Sequence, residues 1–381
     1  MKSVADRLII EACGELLGPN VLVVLLNGTT LATGLRETRP DFSYTFFTPE
    51  HFFFQTLQTF HSECRSMDPD SAEQTSAISD FALLSLGQDS KTEMEVRLLC
   101  DVDPPTGPYD SIAFPTNAIG SAEQTQELLQ ICHLRLKLGG RLVASTNNPK
   151  DKWLHAQLRS IFDKVTVSSH RDGVVYIARK QEHLKKEKDF SSTFAFRFRE
   201  QLVSVRSRPG VFSHRKVDGG ARSLIRSLDL LVPSDDEPNR AFDARKIVDL
   251  GCGCGAVAAA AALQYPEAQV LAVDSHTRAI ESTRRTATAN GLNNVSTMLA
   301  SDAIIPEPNS WDLFLTNPPY YSDYRISEVF IQSARIALRP GGRIHLVTKL
   351  TDWHEARLNQ LFRDVQVHRI GEYDVLTARK R

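Results

Sequence analysis

Four consecutive residues, Asn317-Pro318-Pro319-Tyr320, carry the most specific chemistry in the chain. The Asn317 side-chain oxygen and the Pro318 carbonyl are two hydrogen-bond acceptors side by side. The two prolines stiffen the pair, because the pyrrolidine ring locks φ at each position. Such a pair suits an amino group conjugated to a planar π-system, whose delocalised lone pair makes it a poor nucleophile. Donating its N–H groups to Asn317 and Pro318 would hold that nitrogen pyramidal, its lone pair aimed at the methyl of a sulfonium. Tyr320 could stack on the planar substrate. No general base is needed before the methyl moves. The structural alternative is a Pro-Pro turn leaving a strand.

A sulfonium donor needs its own cradle, and Asp249-Leu250-Gly251-Cys252-Gly253-Cys254-Gly255 can supply one. Gly251, Gly253 and Gly255 let the backbone turn tightly and come within contact distance of a ligand. Gly251, Gly253 and Ala256 also satisfy the looser dinucleotide fingerprint, which keeps a nicotinamide enzyme as an alternative. The acid two positions before Gly251 argues against it. Asp274 follows Gly251 by 23 positions and, with Ser275 next to it, ends a strand where a carboxylate can accept both ribose hydroxyls. Ser301-Asp302-Ala303 places a short acid after the next strand, where an adenine amino group would lie. Each acid alone reads equally well as a surface residue or a helix cap. Their succession on consecutive strand ends favours an adenosine cofactor, S-adenosylmethionine, with Asn317 shared between the two sets. Cys252 and Cys254 form a C-x-C pair with no second Cys/His pair nearby, so no metal is expected.

Among the elements that must hold these residues, Lys246 to Leu250 reads as an apolar strand and Ala256 to Gln264 as an Ala-rich helix. Val270 to Val273 is a second strand, and Thr277 to Asn290 a helix closed by Gly291. Val295 to Leu299 and Leu313 to Thr316 are further strands, and Glu328 to Leu338 is a helix stopped by Pro340-Gly341-Gly342. Alternating strands and helices predict an α/β fold, a mostly parallel sheet with helices on both faces and ligands at the carboxyl ends of the strands.

The chain also contains itself twice. Leu136-Lys137-Leu138-Gly139-Gly140-Arg141-Leu142 matches Leu338-Arg339-Pro340-Gly341-Gly342-Arg343-Ile344 at an offset of 202. Trp153, Ile161 to Val165 and Ala178 to Lys180 match Trp353, Leu361 to Val365 and Ala378 to Lys380 at an offset of 200. Two tandem Rossmann-like domains follow, over 1–180 and 194–381, joined by a charged linker at 181–193. Phe194 to Phe198 and Leu202 to Val205 alternate like strands and predict a β-ribbon leading into the second domain. In the first domain Leu25-Leu26-Asn27-Gly28-Thr29-Thr30 stands where the glycine loop should be, and Phe114-Pro115-Thr116-Asn117 where Thr316 to Pro319 should be. Both motifs are absent, which predicts a catalytically dead copy.

On these motifs, residues 190–381 resemble the small-domain class I S-adenosylmethionine-dependent methyltransferases, and the whole chain resembles the bacterial rRNA guanine-N2 methyltransferases of two types, methyltransferase C of the small ribosomal subunit and methyltransferase G of the large one. Arg208 to Ser213, Asp218-Gly219-Gly220, the Asp249 to Gly255 loop, Asn290-Gly291 and Asn317 to Tyr320 carry the resemblance. It implies two similar domains with one cofactor site, Phe212 and the Asp218 turn closing over the methionine part of the cofactor, and 2-methylguanosine in rRNA as product. The chain departs from the family in having Ala221 where Ser or Thr is common, and Tyr320 where Phe is usual. Tyr320 is more typical of adenine-N6 and glutamine-amide methyltransferases, which stay open as alternatives beside a non-catalytic ribosome- or RNA-binding module.

At 381 residues with 41% hydrophobic and 24% charged content, the composition is that of a two-domain globular protein. No apolar run is long enough to span a bilayer, and no secretory signal is evident. Six scattered cysteines do not make a disulfide framework. A cytoplasmic monomer acting on ribosomal RNA or a ribosomal subunit is expected. Residues 1–180 hold 17 Lys and Arg against 22 Asp and Glu, whereas 181–381 hold 28 against 24, so a polyanion would be drawn to the second half.

Overall fold

The computed structural model describes residues 3–65, 74–76, 83–88, 94–232, 242–319 and 323–381. The chain forms two units, Met1–Phe190 and Ser191–Arg381. In chain order the first contains α1 (Val4–Glu11), β1 (Asn20–Val24), α2 (Thr30–Thr38), β2 (Ser43–Thr48), α3 (His51–Arg65), β3 (Gln74–Ser76), β4 (Leu83–Gln88) and β5 (Glu95–Cys100). These are followed by β6 (Tyr109–Thr116), α4 (Ala122–Arg135), β7 (Leu136–Thr146), α5 (Trp153–Ile161), β8 (Lys164–Ser169) and β9 (Val174–Arg179). The strands lie in the order β3-β4-β5-β2-β1-β6-β7-β9-β8. The run Val21 to Val24 is buried throughout, as a parallel strand covered on both faces must be. The segment expected as a linker is irregular and its end is tied back to this unit. Gln130 Nε2 donates to the Lys188 carbonyl, the Lys188 N–H donates to Gln130 Oε1, and Phe190 is buried.

The second unit opens with an antiparallel ribbon, β10 (Ser192–Phe198) and β11 (Gln201–Ser207), and continues with α6 (Gly219–Arg226), β12 (Lys246–Leu250), α7 (Ala256–Gln264), β13 (Gln269–Asp274), α8 (Thr277–Ala289) and β14 (Val295–Leu299). Then come β15 (Trp311–Thr316), α9 (Arg325–Ala337), β16 (Leu338–Thr348), α10 (Thr351–Leu361), β17 (Arg363–Ile370) and β18 (Tyr373–Arg379). Its sheet order is β14-β13-β12-β15-β16-β18-β17. With β3 and β4 set aside, the first sheet has the same order, so each unit is a doubly wound, Rossmann-like α/β layer. Every residue of Ala256 to Ala262 is buried, and this small-residue helix lies against α6, α8 and the sheet. Gly291 closes α8 with φ of +66°. The Pro340-Gly341-Gly342 segment does not follow a helix directly. It is an irregularity inside β16, where two steps along β15, from Trp311 to Leu313, match five along β16, from Leu338 to Arg343.

The duplication extends to individual contacts. The same irregularity separates Tyr109 from Ser111 against Leu136 and Arg141. Lys180 Nζ donates to the Leu136 carbonyl at 2.8 Å, and Lys380 Nζ to the Leu338 carbonyl at 2.6 Å. Asp110 accepts the Asn20 N–H and an ion pair from Lys137, while Asp312 accepts the Lys246 N–H and an ion pair from Arg339. These shared positions maintain the fold. Positions where the copies differ are where function must be sought.

Candidate active site

The loop after β12 owes its shape to three left-handed glycines, Gly251, Gly253 and Gly255, with φ of +81°, +54° and +78°. A Cβ on Gly255 would lie 2.9 Å from the Thr283 backbone, so the loop packs there as only glycine can. Thr283 Oγ1 donates to the Gly253 carbonyl at 3.2 Å, and Thr286 Oγ1 to the Cys254 carbonyl at 2.9 Å. These α8 threonines brace the loop, and sequence reading missed them, since a threonine in a helix carries no such signal. Asn290 and Thr286 also accept the N–H groups of Ser204 and Arg206, which fastens the ribbon to the same helix.

Asp249 is 2% exposed and its Oδ2 has no hydrogen-bond partner. Burial pushes its carboxyl up to about 7; the Ala258 backbone N–H opposes the shift and the nearby Asp274 charge adds to it. An orphaned carboxylate oxygen of this kind is what a cationic ligand would satisfy. Asp274 is held at the loop, accepting the Gly253 N–H at Oδ2 and the His276 N–H at Oδ1, both at 3.0 Å. Burial raises its pKa, and these backbone bonds lower it in part. Ser275 follows, half-buried. The Cys252 and Cys254 thiols are buried neutral groups, Cys254 pushed up to about 11 by burial. Among the described residues no group of three His, Cys, Asp or Glu side chains could hold a metal ion, and no helix is long and apolar enough to cross a membrane.

Asn317 stands directly beyond β15, whose Thr316 donates its hydroxyl to the Leu250 carbonyl at 3.0 Å, so strand end and glycine loop are joined. Asn317 Nδ2 donates to Asp218 Oδ2 at 3.3 Å. Asp218 is the N-cap of α6, accepting the Gly220 N–H at 2.7 Å and the Ala221 N–H at 3.2 Å. One carboxylate thus starts a helix and sets the amide of Asn317, leaving the Asn317 oxygen as the acceptor. Gly220 is required there, because a Cβ would lie 2.9 Å from Asn317 Oδ1. Pro318 is buried and Pro319 half-buried, while Tyr320 lies outside the described residues.

Other expected positions are not drawn together in this way. Phe212 stands 72% exposed instead of packed on the loop. Asp302 is exposed and accepts the Ile304 N–H in its own turn, while Ala303 is buried with φ of +55° and its carbonyl takes the Ser333 hydroxyl.

Strand registers bring the first unit into line and move the glycine-loop correspondence by two residues. Val23 corresponds to Asp249, Leu25 to Gly251, Asn27 to Gly253 and Thr29 to Gly255. Thr48 takes the place of Asp274. Pro115 and Thr116, in the places of Asn317 and Pro318, stay paired to Ser145 and Thr146, so β6 runs on where the second unit opens.

Residues 202–377 match the family model of the methyltransferase small domain. The chain is similar to the ribosomal RNA small subunit methyltransferases C of Pseudomonas entomophila, at 35% identity over 38% of this chain and 41% of that one, and of Haemophilus influenzae, at 28% identity over 56% and 62%. It therefore spans about half the length of these curated relatives. A 16S rRNA N2 methyltransferase from T. thermophilus, solved in complex with AdoMet and guanosine, aligns with TM-score 0.75 and 21% identity over 100% of this chain and 92% of that chain. This likeness extends the shared fold across both units.

Proposed function

We propose that the second unit transfers a methyl group from S-adenosylmethionine to the exocyclic N2 amine of a guanine in ribosomal RNA, free or within a ribosomal subunit. The observation that carries this reading is Asn317, its amide held by Asp218 and its oxygen left as acceptor where the sheet opens beside the glycine loop. The relatives' named substrate supplies the choice of rRNA.

The residues present fit that cofactor. Gly251, Gly253 and Gly255 admit close backbone approach, Asp249 offers an anionic oxygen with no partner, and Asp274 offers a carboxylate for ribose hydroxyls. When bound, the cofactor supplies an electrophilic methyl on sulfur. Asn317 Oδ1 and the Pro318 carbonyl accept the two N–H groups of the guanine amine and withdraw its lone pair from the ring. The N–C bond forms as the C–S bond breaks, and the surplus proton on nitrogen passes to water. Asp218 positions Asn317 without itself touching the substrate. The first unit, with Val23, Thr48 and Pro115 at the matching positions, is a support lacking a site of its own.

Incubation with labelled S-adenosylmethionine and undermethylated rRNA or ribosomal subunits tests the reading. Label should be recovered as 2-methylguanosine. Label only in protein would overturn it in favour of glutamine-amide methylation, the reading to which Tyr320 points.

A further inference from the structure

The two copies differ sharply at one place outside the motifs, the lip formed by the ends of β16 and β18. In the second unit Lys349 follows β16 and places its Nζ 4.5 Å from the centroid of the Tyr373 ring. Tyr373 in turn abuts the Asp218 turn, since a Cβ on Gly219 would lie 2.6 Å from its ring. Gly220, one residue on, closely approaches Asn317. A continuous wall therefore runs from Asn317 through the start of α6 to Tyr373 and the Lys349 ammonium.

Lys349 is exposed and forms no ion pair among the described residues. The nearest acid in the pairing register, Asp374, is engaged elsewhere, by the Thr351 hydroxyl and by Arg369 at 3.0 Å. An ammonium held over a phenol ring, with no carboxylate paired to it among the described residues, is ready for an external anion.

The first unit is the internal control. Strand pairing sets Asn147 in the place of Lys349 and Gly173 in the place of Tyr373. Asn147 Nδ2 donates to Asn117 Oδ1 at 3.2 Å, and its Oδ1 accepts the Ala118 N–H at 2.8 Å, which latches the mouth between β6 and β7. A Cβ on Gly173 would lie 2.2 Å from the Thr146 carbonyl, so no side chain fits there. The copy without the reactive motif has closed the lip where the other presents a cation on an aromatic ring.

We propose that Lys349, oriented by Tyr373, binds a backbone phosphate adjoining the target nucleotide and so aligns its base with Asn317. This rests on the rRNA reading above and identifies a positioning residue for it.

The test uses the full chain and undermethylated rRNA, comparing the wild type with Lys349→Met, which keeps the stem and removes the charge. One lost single-strand phosphate contact reduces the slope of log affinity against log salt by about 0.7, which is about fivefold weaker binding per decade of salt below 1 M. Lys349→Met should raise KM for rRNA about fivefold at 0.1 M salt, lower the salt slope by that amount and leave S-adenosylhomocysteine affinity unchanged. An unchanged KM and salt slope in Lys349→Met, with wild-type transfer to rRNA intact, overturns the proposal while sparing the functional reading. A wild-type protein that transfers nothing to rRNA overturns the functional reading itself. Loss of S-adenosylhomocysteine affinity in Lys349→Met would show a structural role and also overturn the proposal.

Discussion

Replacing Asp249 with Asn should stabilise the cofactor-free protein while weakening its grip on the cofactor. Burial raises the Asp249 carboxyl from 3.8 to about 7 in the folded chain, a gap of about 3 units or ~4 kcal/mol at 1.36 kcal/mol per unit. Because the folded pKa lies above the unfolded one, the stability this group contributes is complete below the unfolded value and is lost as pH rises through about 7. Above that, the empty protein carries a buried anion whose Oδ2 has no partner. Asparagine matches the shape and cannot ionise. Its NH2 group is left without an acceptor, which takes back about 1–3 kcal/mol. A net gain of about 1–3 kcal/mol at pH 8 remains, and each kcal/mol moves Tm by roughly 2–4 °C in a unit of this size. Scanning calorimetry of both proteins from pH 4 to pH 8.5 should show the difference growing up to about pH 7 and then levelling. Titration of the same samples with S-adenosylhomocysteine should show affinity at least about tenfold weaker in Asp249→Asn, as expected when a charged hydrogen-bond partner is removed. If the wild type is the more stable protein at pH 8, or if the difference does not vary with pH, the carboxylate is a structural group and the reasoning fails.

Asn317→Ala should lower kcat about 10²–10³-fold with S-adenosylhomocysteine affinity nearly intact, and equal loss of both in single-turnover and binding measurements would make the residue structural. Gly220→Ala drives a methyl against Asn317 Oδ1, where a Cβ would lie at 2.9 Å, so kcat should fall while rRNA KM holds; an unaltered kcat would show that this approach is not needed. Cys254, pushed up to about 11, has a thiolate fraction of about 10⁻³ at pH 8 and should resist alkylation in the native protein, as peptide mapping would read directly. Binding of the cationic cofactor near Asp249 should release protons around pH 7, seen as a buffer-dependent binding enthalpy in calorimetry; identical enthalpies in phosphate and Tris would count against a charged contact.

The elements legible in the sequence were those whose local pattern agrees with their place in the fold. Ala256 to Gln264 and Val295 to Leu299 have the expected bounds, and the Leu136 and Leu338 segments disclosed the duplication because one packing problem, a Gly-Gly irregularity closed by a terminal Lys, was solved twice. What stayed hidden depends on contacts between residues far apart in sequence. Nothing in the order of residues says that Asp218 would reach across to Asn317, that Thr283 and Thr286 would brace the glycine loop, or that Lys349 would lie over Tyr373. The glycine loop of the first unit lies two residues from where the sequence alone places it, because no motif survives there to fix the register. Strand pairing aligns Val23 with Asp249 and Thr29 with Gly255, and it shows more differences than the motifs did, since Thr48 stands in the place of Asp274 and Pro115 in the place of Asn317. Duplication thereby becomes a tool for assigning roles. Contacts repeated at Lys180 and Lys380, or at Asp110 and Asp312, serve the fold, because the copy that lacks the glycine loop and the Asn-Pro-Pro motif has them too. Contacts found only around Asn317, Asp249 and Lys349 are free of that demand, and a site is the simplest physical reason for a chain to maintain a buried orphan oxygen before a glycine loop, an amide pinned beyond the carboxyl end of β15 and an ammonium with no ion pair among the described residues.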